Sequence, residues 1–201
     1  MSGSDNKRPG NGHEGIPMTP GVIAEMKALE VFAAPEERSE KIEGIDPVEG
    51  RSLVPKSPVS APDALNEAHA YEPRASYFSR GMRVDLPGAT MIFLSGTASV
   101  DQEGRTVHPG DFHAQCLRTY WNMTRLLASE GASWHDIIRT TCYLRDIDRD
   151  YDDFNDTRTM FFKAVGTDPI PASTGIQAKL CRSDLLIEME AIAIVPRVTG
   201  E

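Results

Sequence analysis

The segment Leu186-Ile-Glu-Met-Glu-Ala-Ile-Ala-Ile-Val195 decides the fold. Successive side chains of a β-strand point to opposite faces of the sheet, so its alternate residues form two sets. One face carries Ile187, Met189, Ala191, Ala193 and Val195, and the other carries Leu186, Glu188, Glu190, Ile192 and Ile194. Both faces are mostly apolar. We therefore predict a central strand covered by helices on one side and by another subunit on the other, with Glu188 and Glu190 at or near that second surface.

Other segments upstream also favour strands. Met91–Leu94 is a short apolar run typical of a buried strand, and Arg83–Leu86 is expected to pair with it across the turn Pro87-Gly88. Further strands are expected at 137–144, which is rich in β-branched and aromatic residues, and at 177–181.

Two amphipathic helices are expected between these strands. Asp111 is a helix-capping residue, and the apolar residues after it recur at helical spacing until Gly131. Asp150 is expected to cap a second helix, which ends at Gly166. Two helices can cover only one side of a small sheet.

The first 70 residues differ in composition from the rest. Thr19-Pro20 is typical of a helix start, and we expect one short helix near 20–34. Prolines at 47, 55, 58, 62 and 73 predict an extended linker. We therefore divide the chain into an N-terminal extension, 1–70, disordered apart from that helix, and a folded domain, 71–201.

Charge and composition narrow the function classes. With 21 basic and 30 acidic residues the net charge is −9, and both parts of the chain are acidic. Nucleic-acid binding needs a basic field, so we expect no nucleic-acid partner. The chain starts with a polar segment, so we expect no secretion signal. It has no long apolar run, so we expect no membrane partner. Three cysteines without a C-x-x-C pair suit a cytoplasmic protein.

Motifs for metals and nucleotide cofactors are missing. The acidic run 146–153 has Tyr151 where a calcium loop needs glycine, and Thr157 where it needs glutamate. The histidines lack metal-ligand spacing, and no glycine-rich phosphate-binding motif occurs. We therefore expect neither a metal nor a cofactor.

Small polar residues at strand ends form the remaining candidate site. The turn Ser95-Gly96 ends one predicted strand, Ser173-Thr174 introduces another, and Glu188 lies within the last. Backbone amides at such turns can bind a carboxylate, and a nearby glutamate can deprotonate water. A purely structural role is the alternative: small polar residues are common in turns, and the glutamate carboxylate could be paired at a subunit interface.

An ordered set of residues resembles the Rid family, the reactive-intermediate deaminases, also called the endoribonuclease L-PSP family. The resemblance covers about residues 74–197 and is carried by Phe93-Leu-Ser-Gly96, Gly110-Asp111, Gln115, Asn122, Gly131-Ala-Ser133, Arg139-Thr-Thr141, Asp146, Asn155, Phe161-Phe162, Pro171-Ala172 and Ile187-Glu-Met-Glu-Ala-Ile192. It implies a chorismate-mutase-like α+β fold, with a six-stranded mixed sheet backed by two helices, and a homotrimer with clefts between subunits.

The resemblance also implies a site and an activity. Members with deaminase activity hydrolyse enamines and imines to 2-oxo acids and ammonia without a cofactor. Their site positions fall here on Tyr77 or Phe78, Ser95-Gly96, Asn155, Ser173 and Glu188. Ser173 is a departure, because deaminating members have an arginine there that binds the substrate carboxylate, and serine has no charge. Arg80 is our candidate replacement, and a structural salt bridge is the alternative role for it.

The leading hypothesis is a Rid-like hydrolase acting on a small carboxylate-bearing enamine or imine. Glu188 would activate water, and Tyr77, Arg80, Ser95, Gly96, Asn155, Ser173 and Thr174 would bind the substrate. A metabolite-binding protein without catalysis is the alternative. The segments Ser95-Gly-Thr-Ala-Ser99 and His108-Pro-Gly-Asp111 also resemble chorismatases, which hydrolyse chorismate, and an endoribonuclease role is a further alternative.

Overall fold

The computed structural model describes residues 19–29, 54–71 and 76–197. The chain divides into two compact units, 1–52 and 53–201. In the first unit, helix α1 spans Pro20–Leu29, and its first turn is capped as the sequence predicts, since the Val22 amide donates to Thr19 Oγ1 at 3.2 Å. The remainder of the predicted helix, 30–34, lies outside the described residues.

The second unit contains a six-stranded mixed sheet in the order β1-β2-β3-β6-β4-β5. The strands are β1 (Lys56–Pro58), β2 (Gly81–Leu86), β3 (Ala89–Ala98), β4 (Ile137–Leu144), β5 (Ala172–Gln177) and β6 (Ile187–Pro196). Helices α2 (Phe112–Ser129) and α3 (Ile147–Val165) accompany the sheet, with short 3₁₀ turns at Ala68–Ala70 and Trp134–Asp136. Only β4 and β5 pair in parallel among these strands. This architecture confirms the predicted α+β class and the sheet with two helices.

The two faces of β6 have different surroundings. Ile187, Met189 and Ala193 are at most 1% exposed and belong to the core with residues of α2 and α3. On the opposite face Glu188, Glu190 and Ile192 are half-buried, and Ile194 is exposed. We call this second surface, with Phe93 and Met91 of β3 beside it, the open face of the sheet.

The start of α3 differs from the prediction. Asp146 is the capping residue, and its Oδ1 accepts a hydrogen bond from the Arg149 amide at 3.1 Å. Asp150, the predicted cap, lies inside the helix, where its 2% exposed carboxylate is paired with the Arg149 guanidinium. The expectation was wrong because several aspartates in this run suit a helix start, and only the backbone decides which one caps it.

The strand predicted at 177–181 was also misplaced. β5 ends at Gln177 and consists largely of small and polar residues, which have weak strand propensity. It forms because its backbone pairs with β4 from Arg139↔Ala172 to Leu144↔Gln177. Tertiary pairing thus overrides local composition here.

Part of the segment that we expected to be a linker packs in the second unit. Ser57 of β1 pairs with Arg83 of β2, and Val59 and Leu65 are at most 1% exposed. The prolines in this segment are compatible with β1 because it is an edge strand.

Candidate active site

Glu188 and Gly96 are in direct contact where β3 and β6 are irregularly paired. The register between these strands shifts between Leu94 and Thr97, and Glu188 pairs with Ala98. A Cβ atom added to Gly96 would lie 2.0 Å from Glu188 Oε1. The Glu188 carboxylate can therefore lie across the β3 backbone only because residue 96 has no side chain.

The Glu188 carboxylate lines a cavity of about 140 Å³ that also contains Gly96, Tyr71, Arg80 and Arg182. Burial raises the pKa of Glu188 above its usual value, and the neighbouring Glu190 charge acts in the same direction. The Cys181 thiol, 3.9 Å from Glu188 Oε2, and the Arg182 charge act in the opposite direction. The result is a half-buried carboxylate that binds a proton more readily than an exposed glutamate does.

Arg80 forms another part of the wall of this cavity. Its guanidinium lies 4.8 Å from the ring centroid of Tyr71 and 5.5 Å from that of Phe78. Nε and Nη2 donate to the Asn66 carbonyl oxygen at 3.0 and 2.9 Å. The side chain is only 6% exposed, and burial lowers the pKa of Arg80, although a guanidinium stays charged in proteins. Arg80 thus places a fixed positive charge in the same cavity as Glu188.

Asn155 and Ser173 lie elsewhere, at the α3–β5 edge of the fold. Arg158 of α3 connects them, because Nη1 donates to Ser173 Oγ at 3.2 Å and Nη2 to Asn155 Oδ1 at 2.6 Å. Thr140 pairs with both Ser173 and Ala191, which places Ser173 on the helix-covered face of the sheet. Glu188 is on the open face. One chain therefore does not bring Glu188 and Ser173 together.

Ser95, Thr174 and Tyr77 are outside the Glu188 cavity. Ser95 lines a depression of about 510 Å³ on the open face, and its hydroxyl donates to the Ser79 carbonyl at 2.8 Å. Thr174 Oγ1 accepts from Arg139 Nη2 at 3.1 Å, and Arg139 lines the same depression. Tyr77 is fully exposed, whereas its neighbour Phe78 lines both this depression and the Glu188 cavity.

Sequence reasoning missed Tyr71, Cys181 and Arg182, which line the Glu188 cavity, and Arg158, which contacts Ser173. Tyr71 is distant from Glu188 in sequence, and Cys181 and Arg182 lie between β5 and β6, where no strand or helix periodicity indicates which side chains face the cavity. Arg158 follows Asn155 by three residues, and on a helix that spacing puts two side chains on the same face. Helical periodicity could therefore have identified Arg158.

The family model for endoribonuclease L-PSP matches residues 67–195, more than half of the chain. The chain belongs to the endoribonuclease L-PSP family. This is the family that the sequence analysis identified under the name Rid, so that prediction is confirmed. No helix in the described ranges is long and apolar enough to cross a bilayer.

Several relatives have similar sequences over the folded part of the chain. A RutC family protein of Pyrococcus abyssi is 32% identical over 51% of this chain and 76% of its own length. The 2-iminobutanoate/2-iminopropanoate deaminase of Escherichia coli is 31% identical over 55% of this chain and 83% of its own. A chorismatase of Streptomyces rapamycinicus is 30% identical, over 61% of this chain and 38% of its own.

The fold is also similar to that of a solved structure. Escherichia coli TdcF, with bound serine, is 26% identical and superimposes with a TM-score of 0.52, covering 65% of this chain and 98% of its own.

Proposed function

We propose that this protein is a Rid-like hydrolase that converts a small carboxylate-bearing enamine or imine into a 2-oxo acid and ammonia. The observation that carries the proposal is the half-buried Glu188 carboxylate in a small cavity that also contains the positive charges of Arg80 and Arg182. The similarity to an iminobutanoate/iminopropanoate deaminase supports this reaction class, and so does the serine bound by TdcF, a small molecule with a carboxylate and an amine.

Glu188 would act as the general base. Its ionised carboxylate accepts a proton from a water molecule, and that water attacks the carbon of the C=N bond. An enamine substrate would first tautomerise to its imine. Protonated Glu188 returns its proton to the nitrogen to give the carbinolamine, and the hydroxyl proton then moves through Glu188 to the nitrogen as the C–N bond breaks, which releases ammonia and leaves the carbonyl of the 2-oxo acid. The raised pKa of Glu188 suits this role, because a base is most effective when its pKa approaches the working pH.

Arg80 would supply positive charge to the cavity. Two of its N–H groups already donate to the Asn66 carbonyl, so we propose that Arg80 attracts an anionic substrate through its field and does not clamp it. Phe78, and not the exposed Tyr77, would form the aromatic wall, while Gly96 leaves room for the Glu188 carboxylate. Ser95 and Thr174 would bind polar groups of the substrate only if it extends onto the open face.

The complete site would need a second copy of the chain. Glu188 lies on the open face, whereas Asn155 and Ser173 lie at the α3–β5 edge, on the other side of the sheet. Exposed Phe93 and Ile194 make the open face suitable for contact with another subunit. We therefore propose a homotrimer in which Glu188 of one copy and the α3–β5 edge of the next form each cleft.

The proposal is tested by measuring ammonia and 2-oxo acid release from imines that an amino-acid oxidase generates in the assay. Wild type should accelerate release, and Glu188→Gln should reduce the enzymatic rate by about 10²-fold or more, as removal of a catalytic group does. Glu103→Gln, which changes a 57% exposed side chain, is the matched control and should keep full activity. Equal rates for wild type and Glu188→Gln would contradict the proposal.

A chorismatase-like reaction is the second candidate, and the 30% identity to a chorismatase is the observation that favours it. Hydrolysis of the enol ether of chorismate would release pyruvate. Pyruvate release from chorismate, lost in Glu188→Gln, without any effect on imines would support this candidate over the first. Tight ligand binding without turnover of either compound would instead indicate a metabolite-binding protein.

A further inference from the structure

We propose that Arg158 is the residue that binds the substrate carboxylate in this chain. The proposal deepens the function proposed above and rests on it for the identity of the substrate. It arises from the contacts of Arg158, from the cavity that this side chain lines and from the absence of a charge at Ser173.

Arg158 is held in a fixed position at the α3–β5 edge. Its guanidinium lies 4.8 Å from the ring centroid of Phe154 and donates to the Ser173 hydroxyl and the Asn155 side-chain carbonyl. Both acceptors are neutral, and Arg158 forms no ion pair with any carboxylate in the described part of the chain. A half-buried arginine with neutral partners can exchange them for a carboxylate, which forms stronger, charge-assisted hydrogen bonds.

A cavity of about 480 Å³ adjoins this guanidinium, and its lining indicates the class of ligand. Thr167 is 8% exposed, and its Oγ1 is buried without a hydrogen-bond partner among the described residues. Phe162, Ile170 and Pro171 make much of the lining apolar, which suits the carbon chain of a small organic acid. Lys163 and Asp168 also line the cavity, so with Arg158 its charged residues sum to one positive charge, which matches a monoanion better than a dianion such as phosphate. A monocarboxylate with a short apolar body fits these properties.

The position of Arg158 also accounts for Ser173. A serine at that position leaves space and a hydroxyl acceptor for the Arg158 guanidinium, so the positive charge comes from α3 instead of β5. Because Glu188 lies on the opposite face of the sheet, Arg158 of one copy would bind the carboxylate while Glu188 of the next copy activates water. Neither residue alone makes a complete site.

Direct binding tests the role of Arg158 independently of turnover. We would titrate 2-oxobutanoate, a product of the expected class, into full-length wild type and Arg158→Gln by calorimetry. Loss of a charge-assisted contact should weaken binding by about 10- to 100-fold. Arg125→Gln is the control and should bind like wild type, because Arg125 of α2 forms only an exposed ion pair with Asp63.

A second variant separates a binding role from a structural one. Ser173→Arg introduced into Arg158→Gln should restore 2-oxobutanoate binding, because it returns a guanidinium to the same place from β5. Equal affinity of wild type and Arg158→Gln, absence of binding by wild type, or loss of binding that Ser173→Arg does not restore would each overturn the proposal. Failure of the proposed function would appear differently, as imine hydrolysis that is unaffected by Glu188→Gln.

Mixed oligomers test whether the two residues act from different copies. Arg158→Gln and Glu188→Gln subunits, each deficient alone, would be refolded together in equal amounts. Random assembly would put an intact Glu188 opposite an intact Arg158 in about a quarter of the clefts, so about a quarter of wild-type activity should return. No recovery would overturn the arrangement across two copies.

Discussion

At the scale of single residues, the contact between Gly96 and Glu188 is the feature on which the candidate chemistry depends most. A Cβ atom at residue 96 would be 2.0 Å from Glu188 Oε1, so the carboxylate would have to leave its position. We predict that Gly96→Ala lowers imine hydrolysis by about 10²-fold, as loss of a positioned catalytic group does. Gly96→Ala combined with Glu188→Gln should cost little more than either change alone, because both disable the same group.

A matched glycine variant controls for the added methyl group. Gly21→Ala in α1 has only Thr19 Oγ1 nearby, at 3.8 Å, which is an ordinary contact, so this variant should keep wild-type activity. Full activity in Gly96→Ala, or additive losses in the double variant, would show that the Gly96–Glu188 contact does not position the base. Steady-state rates of wild type, the three single variants and the double variant decide between these results.

Some site residues could be predicted from the sequence because they lie next to or within short apolar or alternating segments. Gly96 follows the apolar run Met91–Leu94 in sequence, although β3 continues through it to Ala98 and the predicted turn at Ser95-Gly96 is an irregularity within the strand. Glu188 lies in a strand whose alternation is evident, so both residues could be named from the sequence. The aromatic wall was assigned to Tyr77, which is exposed, because adjacent aromatic residues in an irregular segment cannot be distinguished by periodicity. Arg158 was missed because its partner Ser173 is distant in sequence and carries no charge.

At the scale of secondary structure, elements with strong periodicity were predictable and elements that depend on pairing were not. β4 and the β2–β3 hairpin lie where the apolar pattern places them. β1 and β5 are edge strands whose composition is weak, and their backbones are ordered by neighbouring strands. The local sequence of an edge strand does not indicate which strand will pair with it.

The cap of α3 gives a test at the same scale. Asp146→Ala should lower the free energy of unfolding by about 1 kcal/mol, because the Arg149 amide loses its side-chain acceptor. Asp152→Ala, an exposed change beyond the first turn, should have a much smaller effect. Urea unfolding followed by circular dichroism measures both. Equal stability of Asp146→Ala and wild type would mean that Asp146 does not cap the helix.

At the scale of the whole molecule, the two-faced sheet predicts self-association. Ile192 is half-buried on the open face, and an arginine there would put a charge into the proposed subunit contact. We predict that wild type has the mass of a trimer in light scattering and that Ile192→Arg has the mass of a monomer. Leu117→Arg, at a 39% exposed position on α2, should remain a trimer. A monomeric wild type, or a trimeric Ile192→Arg, would contradict the proposed assembly.

The pH dependence of imine hydrolysis tests the central claim, that Glu188 is the general base, most directly. Burial raises the pKa of Glu188, and the base acts in its ionised form, so kcat/KM should rise with pH through a pKa above that of an ordinary glutamate and then level off. Glu188→Gln should lack this rise after the uncatalysed rate is subtracted. A flat profile for wild type, or the same rise in Glu188→Gln, would contradict the account.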